Sequence, residues 1–308
     1  MSNSNTPNTP SAISIFGLAI RPKTLPASLS PVLLGSVLVP SEQLNLLLVL
    51  AAFGCALCLQ ISVNLANDFF DAKNGIDTAN RVGPTRVTQS GLASSQQVAT
   101  GIVVFLVLGI TCGLVLVAHT GWPLLGIGVL CVLGAVGYSG GPYPIASHAL
   151  GEAAVLFFFG WVAVIGSYYV HTLTFTWTVF FAATALGAIL SAVMLVNNIR
   201  DITTDAKANK NTLAVVLGLR RSKQLYTALL WSLFIFHTLA FGVFQSGANL
   251  LQALLLTVIP LALVFPFCLK AQIRMATLSG EKLNTLLAFT ALIGMIYSLS
   301  VSLTILLL

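Results

Sequence analysis

The chain carries nine long apolar stretches almost free of charged side chains, and no other feature constrains its fold as tightly. They run from Thr24 to Val39, Leu44 to Phe70, Val98 to Ala118, Trp122 to Tyr138, Ala153 to Val170, Phe175 to Val196, Leu225 to Val243, Leu250 to Leu269 and Leu283 to Leu308. A helix needs roughly 20 apolar residues to cross a hydrocarbon core. Inside lipid the backbone must satisfy its own N–H and C=O groups, which a helix does internally. Composition agrees: 57% of residues are hydrophobic, 7% are charged and the mean hydropathy is +0.95, whereas a soluble domain is about one quarter charged. The expected fold class is all-α, a polytopic membrane protein with nine transmembrane helices.

Orientation follows from the 14 lysines and arginines, which all fall before the first stretch or in alternate loops. The positive-inside rule makes those loops cytoplasmic, with the N-terminus inside and the C-terminus outside. The formal charge of +6 therefore reports topology, and without a basic soluble domain it gives no ground for a nucleic-acid partner. Residues 1–12, MSNSNTPNTPSA, read as a disordered cytoplasmic N-terminus that lacks the positively charged start of a secretory signal. Residues 13–308 read as a single transmembrane domain.

The five cysteines all lie in apolar stretches and are odd in number, which suggests neither a disulfide framework nor a zinc site. Cys55 and Cys58 form a C-x-x-C that reads as helix packing. Trp122, Trp177, His119 and His171 fall near outer boundaries, where amphipathic rings form belts. His237 reads as a residue bonded to a neighbouring helix.

Chemistry is expected at the inner face. Of eight carboxylates, all but Glu42 fall there: Asp68, Asp71, Asp77, Glu152, Asp201, Asp205 and Glu281. Acidic residues contribute little to topology, so their clustering at two helix ends asks for another cause. Asp68 and Asp71 are spaced i,i+3, and Asp201 and Asp205 i,i+4, so each pair shares a helical face. Each pair follows an asparagine, Asn64 or Asn197, by four residues, which hints at an internal repeat four stretches long. Two carboxylates about 5 Å apart repel by roughly 3 kcal/mol at an effective dielectric near 20. A divalent cation removes that conflict, and hard oxygen ligands without His or Cys favour Mg2+. Asn64, Asn197 and Asn198 are further oxygen donors for a metal or partners that orient its carboxylates, with helix-end capping as the alternative reading. The alternative reading makes these aspartates solvated helix ends or partners of local cations. Basic residues accompany both pairs, Lys73, Arg81 and Arg86 at the first, Arg200, Lys207 and Lys210 at the second, and metal with surrounding cations is the chemistry of a diphosphate site. Arg21 and Lys23, at the inner start of the first stretch, either attract an acceptor carboxylate or anchor topology.

Several motifs in one order carry a resemblance: RPKTLPAS at Arg21 to Ser28, NLANDFFDAKNGID at Asn64 to Asp77, RVGPTRVTQSG at Arg81 to Gly91, YSGGPYPI at Tyr138 to Ile145, LGE at Leu150 to Glu152 and NNIRDITTDAKANKNTLAVVLG at Asn197 to Gly218. The chain resembles the UbiA-type intramembrane prenyltransferase superfamily, and within it the 1,4-dihydroxy-2-naphthoate polyprenyltransferase branch of menaquinone synthesis. The resemblance implies helices around a central cavity that opens sideways to the bilayer. It also implies transfer of a polyprenyl chain from its diphosphate to 1,4-dihydroxy-2-naphthoate with loss of carbon dioxide, in a bacterial inner membrane. Asn64, Asp68, Asp71, Asp201 and Asp205 take the implied metal roles, the four aspartates with Lys210 are the implied catalytic set, and Lys73, Arg81, Arg86 and Arg200 are phosphate candidates. Tyr138 and Asn197 join them as substrate-binding candidates. The sequence departs from the branch pattern near His148, where many members of the branch carry Tyr, and at Asn209, where many carry Gly. Other acceptors of the superfamily (4-hydroxybenzoate, homogentisate, haem or a chlorophyllide) are the nearest alternative. A secondary transporter is more remote, because such sites gather near the midplane.

Overall fold

A computed structural model describes residues 11–75, 83–243 and 249–308. Asp77 and Arg81, and all but the end of the 1–12 segment, lie outside the described residues. Ser11 caps a short helix, α1 (Ala12–Ile20), its hydroxyl accepting from the Ser14 amide. Arg21, in the left-handed region at φ 55°, and Pro22 end it.

The apolar stretches become α2 (Pro26–Val37), α3 (Leu46–Lys73), α4 (Ser95–Thr120), α5 (Trp122–Gly137), α6 (Gly151–Val155) continued through a π-helical segment (Leu156–Ile165) into α7 (Gly166–Thr172), then α8 (Trp177–Lys207), α9 (Leu213–Thr238), α10 (Leu250–Thr277) and α11 (Leu283–Leu307). Side-chain caps mark several of their starts. Ser94 and Gln97 form a reciprocal capping box on α4, and Thr176 and Thr212 cap α8 and α9. Among the described residues seven helices are long and apolar enough to cross a membrane. The other two stretches form α2 and α5, of 12 and 16 residues, or about 18 and 24 Å of helix.

The core forms around α8, of whose apolar window 78% is buried, against 11% for α4 or α10. It packs on α9, α11, α2 and the π-helical segment, while α3 pairs with α4 and α10 with α11. Close approach depends on small residues. A methyl group at Gly160 would lie 2.9 Å from the Gly187 α-carbon, and one at Gly35 2.3 Å from the Val164 carbonyl oxygen. His237 is bonded as expected. Its Nε2 is 3.1 Å from the Leu256 carbonyl oxygen and therefore donates, which leaves Nδ1 to accept from the Tyr297 hydroxyl at 3.0 Å. That arrangement ties α9 to α10 and α11. All five cysteines are free thiols.

The two Asn–Asp segments end α3 and α8. Both helices turn back on their successors, α4 and α9, but the connections differ, residues 74–94 after α3 and only 208–212 after α8.

Candidate active site

A cavity of about 570 Å³ lies between the α3–α4–α5 wall and the wall made by the π-helical segment and α8. Its polar end carries Arg21, Asn64, Asn67, Asp71, Arg86, Tyr138, Asn197, Asn198 and Lys210, and its remainder is lined by residues such as Leu59, Leu114, Leu125, Val132, Phe158 and Val162. On α3 the polar contribution is a single stripe, Gln60, Asn64, Asn67 and Asp71, at the three- and four-residue spacing of one helical face.

Asp71 is the electrostatic centre of that end. Its Oδ2 accepts from Arg86 Nη2 at 3.0 Å, and its Oδ1 lies 3.9 Å from Lys210 Nζ. Three segments thus meet on one carboxylate: the end of α3, the loop after it, and the turn after α8. Lys210 reaches inward because Asn209 takes the left-handed conformation, φ 55°, which Asn tolerates better than most residues. The Lys210 amide closes the turn on the Asp205 carbonyl oxygen at 2.9 Å.

The other predicted carboxylates are buried but do not line the cavity. Asp68 accepts from the amides of Val87 and Thr88, each at 2.9 Å, so it fastens the loop that carries Arg86. Asp201 is bound by its neighbour: Arg200 donates from Nε to Oδ1 at 2.8 Å and from Nη2 to Oδ2 at 2.5 Å. The same guanidinium donates to Asn197 Oδ1 at 2.8 Å and to Asn284 Oδ1, on α11, at 2.7 Å. Arg200 is therefore committed to joining α8 and α11. Asp205 is buried in the last turn of α8. Lys23 and Lys73 are exposed and do not line the cavity.

Among the described residues no three His, Cys, Asp or Glu side chains converge as a metal centre. Two of the carboxylates are instead paired with cations, Asp71 with Arg86 and Lys210, and Asp201 with Arg200. The donor chemistry nonetheless fits a hard divalent cation. Asp71, Asn64, Asn67 and Asn197, all with oxygen-bearing side chains, line the cavity, and Mg2+ commonly binds through one or two carboxylates, water and substrate phosphates.

Sequence reading passed over two contributors. Asn67 lines the cavity and accepts a hydrogen bond from Ser139, and its place three residues after Asn64 was a usable signal. Gln60, polar within an apolar run, was another. Glu152, buried at the start of α6, accepts from Asn198 Nδ2 at 2.8 Å, and Tyr138 donates to Met194 Sδ at 3.2 Å.

The model of the UbiA prenyltransferase family matches residues 28–293. A 1,4-dihydroxy-2-naphthoate octaprenyltransferase of Mycobacterium tuberculosis is 41% identical over 68% of this chain and 72% of its own, and one of Escherichia coli is 36% identical over 76% and 81%. In fold, the chain is similar to a UbiA homolog from Archaeoglobus fulgidus bound to DMAPP and Mg2+, with a TM-score of 0.69 over 96% of this chain and all of the other at 14% identity. With the family pattern spanning most of its length and that fold around a polar-ended cavity, this chain belongs to the UbiA prenyltransferase family.

Proposed function

We propose that the protein transfers a polyprenyl group from its diphosphate to 1,4-dihydroxy-2-naphthoate, with loss of the carboxylate as carbon dioxide. One observation carries the reading: Arg86 and Lys210 meet Asp71 at the polar end of a cavity whose remaining wall is apolar. A prenyl diphosphate has that polarity, a strongly anionic head on a hydrocarbon tail. The acceptor follows from the relatives, five of which carry the naphthoate octaprenyltransferase name at 34–41% identity.

The residues act by exchange of partners. On arrival of the diphosphate, Lys210 and Arg86 turn from Asp71 to the phosphate oxygens, a stronger concentration of negative charge. Asp71, with Asn64, Asn67 and Asn197 nearby, would hold magnesium, which when bound would supply positive charge to the leaving diphosphate. Asp68 keeps Arg86 in reach by fastening the Val87–Thr88 backbone. Asp205 and Asp201 supply a second carboxylate pair, Asp201 only when Arg200 releases it. Lys73 and Lys23 act from the rim, as charges that attract anions to the inner face.

The allylic C–O bond breaks and its electron pair leaves with the diphosphate. The ring carbon bearing the carboxylate forms the new C–C bond, and the bond to the carboxylate breaks, returning its electrons to the ring as carbon dioxide departs. No ring proton need be removed. The apolar wall excludes water, which would otherwise capture the cation. The protein is a multi-pass membrane enzyme; we place it in a bacterial inner membrane with the polar end facing the cytoplasm.

An acceptor panel tests the reading. Protein in lipid nanodiscs, given polyprenyl diphosphate and Mg2+, should prenylate 1,4-dihydroxy-2-naphthoate in preference to 4-hydroxybenzoate or homogentisate. Preference for either of the others would move the chain to a different acceptor branch.

A further inference from the structure

Gln60 lies on α3 one turn before Asn64, is 9% exposed and lines the cavity. The neighbouring hydrogen bonds fix which way its amide faces. Asn64 Nδ2 contacts the Ile20 carbonyl oxygen at 3.0 Å, an atom that can only accept. It also contacts Thr24 Oγ1 at 3.3 Å, and that hydroxyl already donates to the Arg21 carbonyl at 2.9 Å, so its oxygen is free to accept here. Asn64 therefore turns its Oδ1 toward Gln60, and Gln60 Nε2 donates to it at 3.3 Å. Gln60 Oε1 is left as a buried acceptor with no partner. A buried polar atom without a partner is uncommon and calls for a reason.

We propose that Gln60 Oε1 receives a ring hydroxyl of the aromatic acceptor, making Gln60 a specificity-determining residue; this rests on the acceptor reading above. The chemistry separates the two substrates. An ionised prenyl diphosphate has only acceptor atoms on its head and none to donate on its tail, so it cannot satisfy Gln60. A hydroxynaphthoate can. Arg21, whose carbonyl accepts from Thr24 in the same network, also lines the cavity, and a guanidinium there suits the carboxylate of such an acceptor.

The test is a cycle between protein and acceptor. Inhibition constants are measured for 1,4-dihydroxy-2-naphthoate analogues that keep both hydroxyls, lack one, or carry one as a methyl ether, using wild type, Gln60→Met and Gln60→Glu. In wild type, loss of the contacting hydroxyl should weaken binding roughly threefold to tenfold, the ordinary worth of one neutral hydrogen bond. Gln60→Met should erase that difference and change acceptor affinity more than the KM for prenyl diphosphate. Gln60→Glu, which keeps an acceptor oxygen, should retain the difference even if overall affinity falls. An equal hydroxyl penalty in wild type and Gln60→Met overturns the proposal, as does the absence of any penalty in wild type. If wild type does not prenylate dihydroxynaphthoate at all, the acceptor reading has failed first, and the two failures are distinguishable.

Discussion

Arg86 and Asp71, fifteen residues apart in sequence, meet through Nη2 and Oδ2 at 3.0 Å with both side chains almost wholly buried. A buried pair of this kind is weak evidence for stability in itself, yet removing one member leaves the other charge uncompensated, at a cost of roughly 3 to 5 kcal/mol. Asp71→Ala should therefore lower the thermal midpoint of the detergent-solubilised protein. The double variant Asp71→Ala with Arg86→Met should recover part of that loss. Additive losses in thermal-shift measurements would show that the pair is not coupled.

Lys210 and Asp71 touch each other but should fail differently when removed. Lys210→Ala deletes a charge that turns to the diphosphate. It should slow turnover or weaken prenyl-diphosphate use by about tenfold to more than a hundredfold, the worth of one charge-assisted hydrogen bond of roughly 1.5 to 3 kcal/mol. Added Mg2+ should not restore it. Asp71→Ala deletes a metal oxygen, so its residual activity should rise with Mg2+ well beyond the concentration that saturates wild type. Magnesium titrations of both variants check this, and identical responses would dissolve the distinction.

Asp68 accepts from two loop amides, and we propose that it anchors this loop beside the metal role the sequence suggests. Asp68→Ala should accelerate hydrogen exchange at the Val87 and Thr88 amides by about an order of magnitude or more, because charge-assisted bonds are lost. It should also reduce activity by freeing Arg86. Unchanged exchange with a raised Mg2+ requirement would return Asp68 to the metal.

The helices were legible because lipid imposes a simple rule, a long run of apolar residues bounded by polar ones, and the nine stretches map onto helices whose ends shifted most where polar sequence extends them, at the end of α8, the start of α9 and the end of α10. Thus α8 continues beyond Val196 to Lys207, carrying Asn197, Arg200, Asp201 and Asp205 in helical register. The polar segments of α3 and α8 were legible by composition, since carboxylates at a membrane face are costly without a purpose. Their pairing was not. Sequence spacing placed Asp201 on a shared face with Asp205, but nothing in it disclosed that Arg200 would fold back onto its neighbour and reach Asn284 across the bundle. The roles of Asp68 and Gln60 depend on contacts with Val87 and, through Asn64, with Ile20, and such long-range partners leave no periodic trace.

The most direct test of the central claim follows the acceptor's carboxylate. Protein in nanodiscs is supplied with polyprenyl diphosphate, Mg2+ and 1,4-dihydroxy-2-naphthoate isotopically labelled in the carboxyl group, and labelled carbon dioxide is counted against prenylated product. The account predicts one carbon dioxide released for each prenyl chain transferred, with both signals falling in proportion in Lys210→Ala. Prenylated product that keeps the label, or carbon dioxide released without prenyl transfer, would contradict it.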